Sequence, residues 1–256
     1  MLYTLHVTQT DSAKRSSKRP LAYGLERSRH VYSLRQARYK ALAEAIASWI
    51  REQGPRHRPL RLVDLGMGRG RTLIYLEAEG INKEIEFHGL DISAKRLRWR
   101  RMRPEWNRCL GSLADPLPYA SNAADICICE QVIEHLEDSS QVFPEIVRVL
   151  RPGGLLVLGV PIFPAPLAAV RRALVKLRRQ RQPDGHFHLQ TFTAASIRRD
   201  VERAGFRVLD QRGFRFVTGG PLARLEDRAW WYEANRRFGA RYPSLCVETQ
   251  IVAALD

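Results

Sequence analysis

The sequence has few cysteines, no long apolar run and fewer acidic than basic residues. Its four cysteines, Cys109, Cys127, Cys129 and Cys246, lack the spacing of a zinc site or of a redox pair, which predicts reduced thiols in a cytoplasmic protein. No run of about 18 apolar residues occurs, and the first residues lack the apolar segment of a signal peptide. We therefore expect no membrane-spanning segment.

The shortage of acidic residues bears on the partners of the protein. Asp and Glu number 27 against 42 Lys and Arg, which gives a formal net charge of +15. Such an excess favours anionic partners, namely phosphates, acidic lipid surfaces or nucleic acid. The charge also has a simpler interpretation, in which it only keeps the protein in solution, and the sequence leaves both open.

Composition and pattern predict one globular domain behind a short tail. Residues 1–20 are polar and basic and predict a mobile tail, whereas residues 21–256 belong to a chain that is 45% apolar and predict a single domain. Apolar residues recur at helical spacing from Val31 to Ile50. Gly54 and Pro55 end that pattern.

Short apolar runs then alternate with helical or loop segments, and these runs are Leu60 to Leu65, Glu84 to Leu90, Asp125 to Glu130 and Gly154 to Val160. Such alternation predicts a parallel sheet that is covered on both faces.

The C-terminal part of the chain predicts antiparallel strands at one edge of the sheet. After a helix from Ala194 to Ala204, the runs Phe206 to Val217 and Cys246 to Ala254 are expected to form an antiparallel pair at the sheet edge. Residues 161–190 and 219–244 are predicted to be insertions that cover a substrate site.

A glycine-rich turn is the strongest local motif. The first apolar run leads into Asp64-Leu65-Gly66-Met67-Gly68-Arg69-Gly70, and a helical segment follows from Thr72. Glycine permits a tight turn and close approach of a ligand to the backbone. At the carboxyl end of a first parallel strand, such a turn lies where open α/β sheets bind nucleotides. The preceding acid at Asp64 suits a cationic amino acid better than a pyrophosphate.

A second acid, Asp91, ends the next apolar run. It follows Gly70 by about 20 residues, the separation expected for a carboxylate that binds the hydroxyls of a nucleotide ribose. Either motif alone is weak, since a carboxylate at the end of a strand also caps helices.

Three further blocks follow in order, and they are Leu117 to Asp125, Gln131 to Leu136 and Glu145 to Val160. With the two motifs above, they resemble the class I S-adenosylmethionine-dependent methyltransferases over about residues 60 to 160. His188 to Thr193 resembles the group that contains the ubiquinone and menaquinone biosynthesis methyltransferases. The resemblance implies a Rossmann-like α/β fold, with a doubly wound, mostly parallel sheet of seven strands and an antiparallel C-terminal edge strand.

The same resemblance implies a set of residues that bind S-adenosylmethionine. Asp64, Gly66, Gly68 and Gly70 would hold its methionine part, Asp91 and Ile92 its ribose and adenine, and Ser112 and Leu113 the adenine edge, with Met67 and Glu130 beside them. Ser112 departs from the usual Asp, and its hydroxyl accepts a hydrogen bond more weakly than a carboxylate does.

Methyl transfer from a sulfonium needs positioning above all, with a base only where the acceptor loses a proton. Glu134, His135 and His188 are the candidates near the carboxyl ends of the predicted strands, with His186 beside the last. Each also has a purely structural interpretation, as a packed, helix-starting or helix-capping side chain. No metal is expected, because Gln131 stands where a metal-binding cluster of related enzymes has its first Glu.

The acceptor is predicted to be a small or lipid-linked metabolite, such as a quinone precursor with a hydroxyl or carbon acceptor. Residues 162–182 form a basic amphipathic pattern, which predicts either a peripheral contact with the anionic inner face of a membrane or an ordinary lid helix. Two alternatives stay open: an RNA methyltransferase that uses the basic surface, and a cofactor-binding module without activity. Nothing in the sequence indicates the oligomeric state.

Overall fold

A computed structural model of the chain describes residues 34, 37–98, 105–164, 167–170, 189–216, 225 and 228–256. All of these residues belong to one compact unit. The predicted basic tail, residues 1–20, lies outside the described residues.

The described part of the chain contains seven strands, which are β1 (Leu60–Leu65), β2 (Ile85–Asp91), β3 (Asn107–Leu110), β4 (Ala124–Glu130), β5 (Leu150–Pro161), β6 (Phe206–Phe214) and β7 (Glu248–Leu255). Its fully described helices are α1 (Ala37–Glu52), α2 (Arg71–Ala78), α3 (Ala94–Leu97), α4 (Val142–Val149), α5 (Ala194–Arg203) and α6 (Ala229–Arg241), and residues 167–170 are also helical. None of these helices has the length and apolar content needed to cross a bilayer.

The strands form one sheet in the order β3-β2-β1-β4-β5-β7-β6. The first five strands in this order are parallel, whereas β7 runs antiparallel to both of its neighbours. This order confirms the predicted α/β fold with a mostly parallel, seven-stranded sheet. The strand at the edge is β6, and the C-terminal strand β7 lies one position inside it.

Strand β4 lies at the centre of the sheet, and its apolar sequence suits burial on both faces. All seven of its residues are buried, and Ile126 and Ile128 are fully buried. Asp125 fixes its amino end, since the carboxylate accepts hydrogen bonds from Arg58, Arg151 and the Arg61 amide. Burial by itself raises the pKa of Asp125, but these donors hold it below its usual range.

Two elements could not be matched to a prediction in full. Helix α1 is described from Ala37, so the earlier part of the predicted helix from Val31 lies almost wholly outside the described residues. Strand β3 was not predicted as an apolar run, because Asn107 and Arg108 are exposed and polar. The sheet order places the carboxyl ends of β1, β2 and β4 side by side, and the predicted site residues lie there.

Candidate functional site

The turn from β1 to α2 is a bare loop of backbone. Gly66, Gly68 and Gly70 all have positive φ, at 80°, 59° and 69°, a region that other residues rarely adopt. The amides of Gly66 and Met67 donate to the Leu90 carbonyl at 2.7 and 2.9 Å, which ties the turn to the end of β2.

The three glycines serve different purposes. A Cβ at Gly66 would collide with the Val132 side chain, and one at Gly70 would collide with the Trp106 ring. A Cβ at Gly68 would meet nothing nearer than a backbone oxygen at 3.9 Å. Packing therefore requires glycine at 66 and 70, whereas at 68 the backbone faces open space where a ligand can approach.

Two buried carboxylates flank this turn. The Asp91 carboxylate accepts hydrogen bonds from the Gly68 amide at 2.9 Å and the Ser93 amide at 2.8 Å. Asp64 is 2% exposed, and its Oδ2 has no hydrogen-bond partner among the described residues. Burial raises the pKa of Asp64 to about 7, with a hydrogen bond to Thr72 opposing and the charge of Asp91 adding to the rise. A cationic ligand group would satisfy the unpaired oxygen.

Apolar side chains are exposed beside Asp91. Ile92, which follows it, is 73% exposed, and Leu110, which pairs with Asp91 across β2 and β3, is 59% exposed. Such bare apolar surface suits the face of an aromatic base. The sequence predicted Ile92, whereas Leu110 was missed because its strand carried no apolar signal.

The side chains of three predicted cofactor residues contact other parts of the protein. The Met67 sulfur lies against Gly89, and the Leu113 side chain is buried in the core, so only the backbone of each can face a ligand. The Ser112 hydroxyl accepts a hydrogen bond from the Ala114 amide at 3.1 Å.

The chain makes a strained turn directly after β4. Gln131 has a φ of 57°, and its Nε2 is buried with no hydrogen-bond partner among the described residues. Its amide donates to the Gly159 carbonyl at 2.8 Å, and a 3-10 turn, Ile133–His135, follows. Backbone strain of this kind persists where the surrounding structure enforces it, and it concentrates at functional sites.

Glu134 lies in this 3-10 turn and is buried. Its side chain is 1% exposed, and within the described residues neither carboxylate oxygen has a hydrogen-bond partner. The His135 Nε2 lies 3.9 Å from the Glu134 Oε1. Burial raises the pKa of Glu134 to about 7, the positive charge of Arg38 lowers it and the negative charge of Glu248 raises it. Glu134 is thus able to accept a proton near neutral pH.

Of the two histidines predicted as catalytic, the structure describes only His135. The His135 side chain is about half exposed beside Glu134. His188, together with His186, lies outside the described residues. The Glu134 carbonyl accepts hydrogen bonds from the Leu189 and Gln190 amides, so the chain returns to this turn directly after position 188.

A buried polar network lies beside Glu134, and sequence reasoning missed most of it. Glu130, at the end of β4, accepts a hydrogen bond from Gln250 and lies 3.6 Å from the Arg38 guanidinium. Glu248 bonds to Arg38 at 2.6 Å and to Arg215 at 2.7 Å. Burial raises the pKa of Glu130 to about 8, while Arg38 and Gln250 oppose that rise. These partners are up to 210 residues apart in the chain, so no local pattern indicates them.

Comparisons with known proteins point to methyltransferases. A family model described as a methyltransferase domain matches residues 63–158. A probable S-adenosylmethionine-dependent methyltransferase of Mycolicibacterium smegmatis is 38% identical over 119 residues, covering 46% of this chain and 41% of that protein. A malonyl-acyl-carrier protein O-methyltransferase of Methylococcus capsulatus is 30% identical over 194 residues, covering 73% of this chain and 66% of that protein.

These matches therefore extend over less than two thirds of the length of either relative. A solved S-adenosylmethionine-dependent methyltransferase of Mesorhizobium loti superposes with a TM-score of 0.53 at 18% identity, over 83% of this chain and 99% of that one. At that identity the likeness shows the fold, a Rossmann-like methyltransferase sheet.

Proposed function

Since the chain carries a class I methyltransferase domain that uses S-adenosylmethionine, we propose that it methylates a hydroxyl oxygen on a small or lipid-linked metabolite, such as a quinone precursor. The observation that carries the cofactor part of the proposal is the bare backbone at Gly68 between two buried carboxylates, Asp64 and Asp91. The O-methyltransferase relative supports an oxygen acceptor.

The residues at the turn fit the cofactor. The unpaired oxygen of Asp64 suits the cationic methionine part, and Asp91 keeps acceptor capacity for ribose hydroxyls beyond its two amide partners. Ile92 and Leu110 offer apolar surface for the adenine. When bound, the cofactor supplies an electrophilic methyl group on a sulfonium.

We assign Glu134 as the base that accepts the proton of the acceptor hydroxyl. It is buried at the carboxyl end of β4, and its carboxylate has no hydrogen-bond partner in the described part of the chain. Because its pKa is about 7, it is ionised and ready to accept a proton only at neutral or higher pH. His135 and His188 are alternative proton acceptors that the same experiment separates from it.

The cofactor site is tested by titration calorimetry with S-adenosylmethionine and its demethylated product. Gly68→Ala adds a Cβ where the ligand approaches, and we expect it to weaken binding at least tenfold. Gly54→Ala is the matched control, because Gly54 has a similar φ of 71° and open space around it, and it precedes the amino end of β1 rather than following a carboxyl end. Both variants carry the same left-handed strain, about 1–2 kcal/mol. Equal affinity in the two variants, or no binding by the unaltered protein, would overturn the assignment.

The acceptor is tested with methyl-labelled cofactor and extracts separated into small metabolites, lipids and RNA. We expect label in the metabolite or lipid fraction, and label confined to RNA would contradict the proposal.

With the acceptor in hand, kcat should rise with pH through about 7, as the Glu134 carboxylate ionises. Glu134→Gln should lower kcat by about 10²- to 10⁴-fold and remove that rise. If His135→Asn or His188→Asn does so instead, the proton acceptor is that histidine.

A further inference from the structure

Exposed apolar side chains gather at one edge of the molecule. Of the ten large apolar side chains that are exposed in the described part of the chain, six lie close to where β5 and β6 end and β7 begins. We call these six the apolar edge, and they are Leu167, Val170, Phe216, Tyr242, Leu245 and Val247. Exposed apolar side chains that are grouped in this way mark interaction sites, whereas scattered ones need no explanation.

Backbone hydrogen bonds join the ends of the strands that border this edge. The Val247 carbonyl accepts from the Ile162 amide at 3.0 Å, and the Val247 amide donates to the Phe214 carbonyl at 3.3 Å. Val247 thus lies between the ends of β5 and β6. From β5 the chain continues into helical residues 167–170, where Leu167 and Val170 are exposed one turn apart.

Aromatic contacts extend the edge from β6 to α6. Phe216 stacks on Phe238 with ring centroids 3.7 Å apart, and Phe238 contacts Tyr242 at 5.1 Å. The Leu245 amide donates to the Tyr242 carbonyl, so Leu245 lies in the turn that directly follows α6.

Positive charge borders this surface. Helix α6 and the residue before it contain four arginines, Arg228, Arg236, Arg237 and Arg241, against one acid, Glu233. Arg236 pairs with Glu233. Arg237 and Arg241 are exposed one turn apart, and the Arg241 guanidinium lies 5.9 Å from the Tyr242 ring centre.

We propose that the apolar edge docks on an anionic phospholipid bilayer, with Tyr242 and Leu245 in the interface and Arg237 and Arg241 against the headgroups. Aromatic and aliphatic side chains bordered by arginine are suited to such an interface. An RNA strand fits less well. Its bases stack on flat aromatic rings, and aliphatic side chains such as Leu167 have no ring. This proposal extends the proposed function by a membrane partner. Vesicle binding tests it without any measurement of methyl transfer.

Vesicle sedimentation tests the proposal. We expect the protein to sediment with vesicles of phosphatidylcholine and phosphatidylglycerol and to remain in solution with phosphatidylcholine alone. Leu167→Glu with Leu245→Glu should weaken binding to the anionic vesicles at least tenfold. Leu209→Glu is the control for a single added charge, because Leu209 is exposed on β6 outside the apolar edge, and it should change binding less than twofold.

A second pair of variants tests the charge. Arg237→Glu with Arg241→Glu should weaken binding at least tenfold, since each arginine near an anionic surface is worth about fivefold. The control pair is Arg199→Glu with Arg203→Glu, which has the same spacing and charge change on exposed positions of α5.

Three results would overturn the proposal: no sedimentation of the unaltered protein, an equal loss in the control pair, or binding to single-stranded RNA without binding to vesicles. Thermal unfolding and cofactor calorimetry on each variant check that it folds. Retained cofactor binding without vesicle binding removes the membrane proposal and leaves the proposed function intact.

Discussion

Replacing Glu134 with glutamine should stabilise the protein at alkaline pH even as it impairs methyl transfer. The side chain is buried, and its pKa is raised from 4.5 to about 7. Between these values the unfolded chain releases its proton while the folded protein retains it, so folding becomes less favourable as the pH rises. Such a rise in the pKa corresponds to about 3 kcal/mol once the pH exceeds 7. Glutamine is neutral throughout and avoids this cost.

Urea unfolding at two pH values measures the effect. Relative to the unaltered protein, Glu134→Gln should gain about 3 kcal/mol at pH 8.5 but less than about 1 kcal/mol at pH 5. The buried amide of glutamine adds a cost that is equal at both pH values, so the change between them is diagnostic. Glu79→Gln, at an exposed carboxylate, should stay within about 0.5 kcal/mol of the unaltered protein at both. A gain that does not grow with pH would refute the reasoning.

Gly66→Ala should lower the free energy of unfolding in urea by about 2–5 kcal/mol, because the added Cβ collides with Val132 and the backbone is left-handed there. Adding Val132→Ala should restore part of this stability. If it restores none, the collision is not the cause. Arg38→Met should cost about 3–5 kcal/mol at pH 9, since it takes this cation away from two buried carboxylates, Glu130 and Glu248. That cost should shrink at pH 6, where Glu130 is protonated, and a loss equal at both would contradict it. In the folded protein Cys109 should be the one thiol of four that reacts quickly with Ellman's reagent, because the other three are buried, and a second fast thiol would contradict the burial.

Much of the fold and of the cofactor turn was predictable because its signals are local. An apolar run that ends in an acid or a glycine marks the carboxyl end of a strand within a few residues, as at Asp64 and Asp91. Parallel strands bring such ends together, so the two motifs predicted one site before any contact was known. Strand β3 escaped this reasoning, because its polar residues pair through the backbone and give no apolar pattern.

By itself, then, the sequence determined the mostly parallel sheet and the glycine turn with its two acids, since these depend on the character of neighbouring residues. The tertiary structure alone decided that Val132 closes on Gly66 and that Arg38 reaches the acids at the ends of β4 and β7. Those contacts depend on strand order, above all on the place of β7 between β5 and β6. Strand order follows from how the whole core packs, and no single stretch of sequence encodes it.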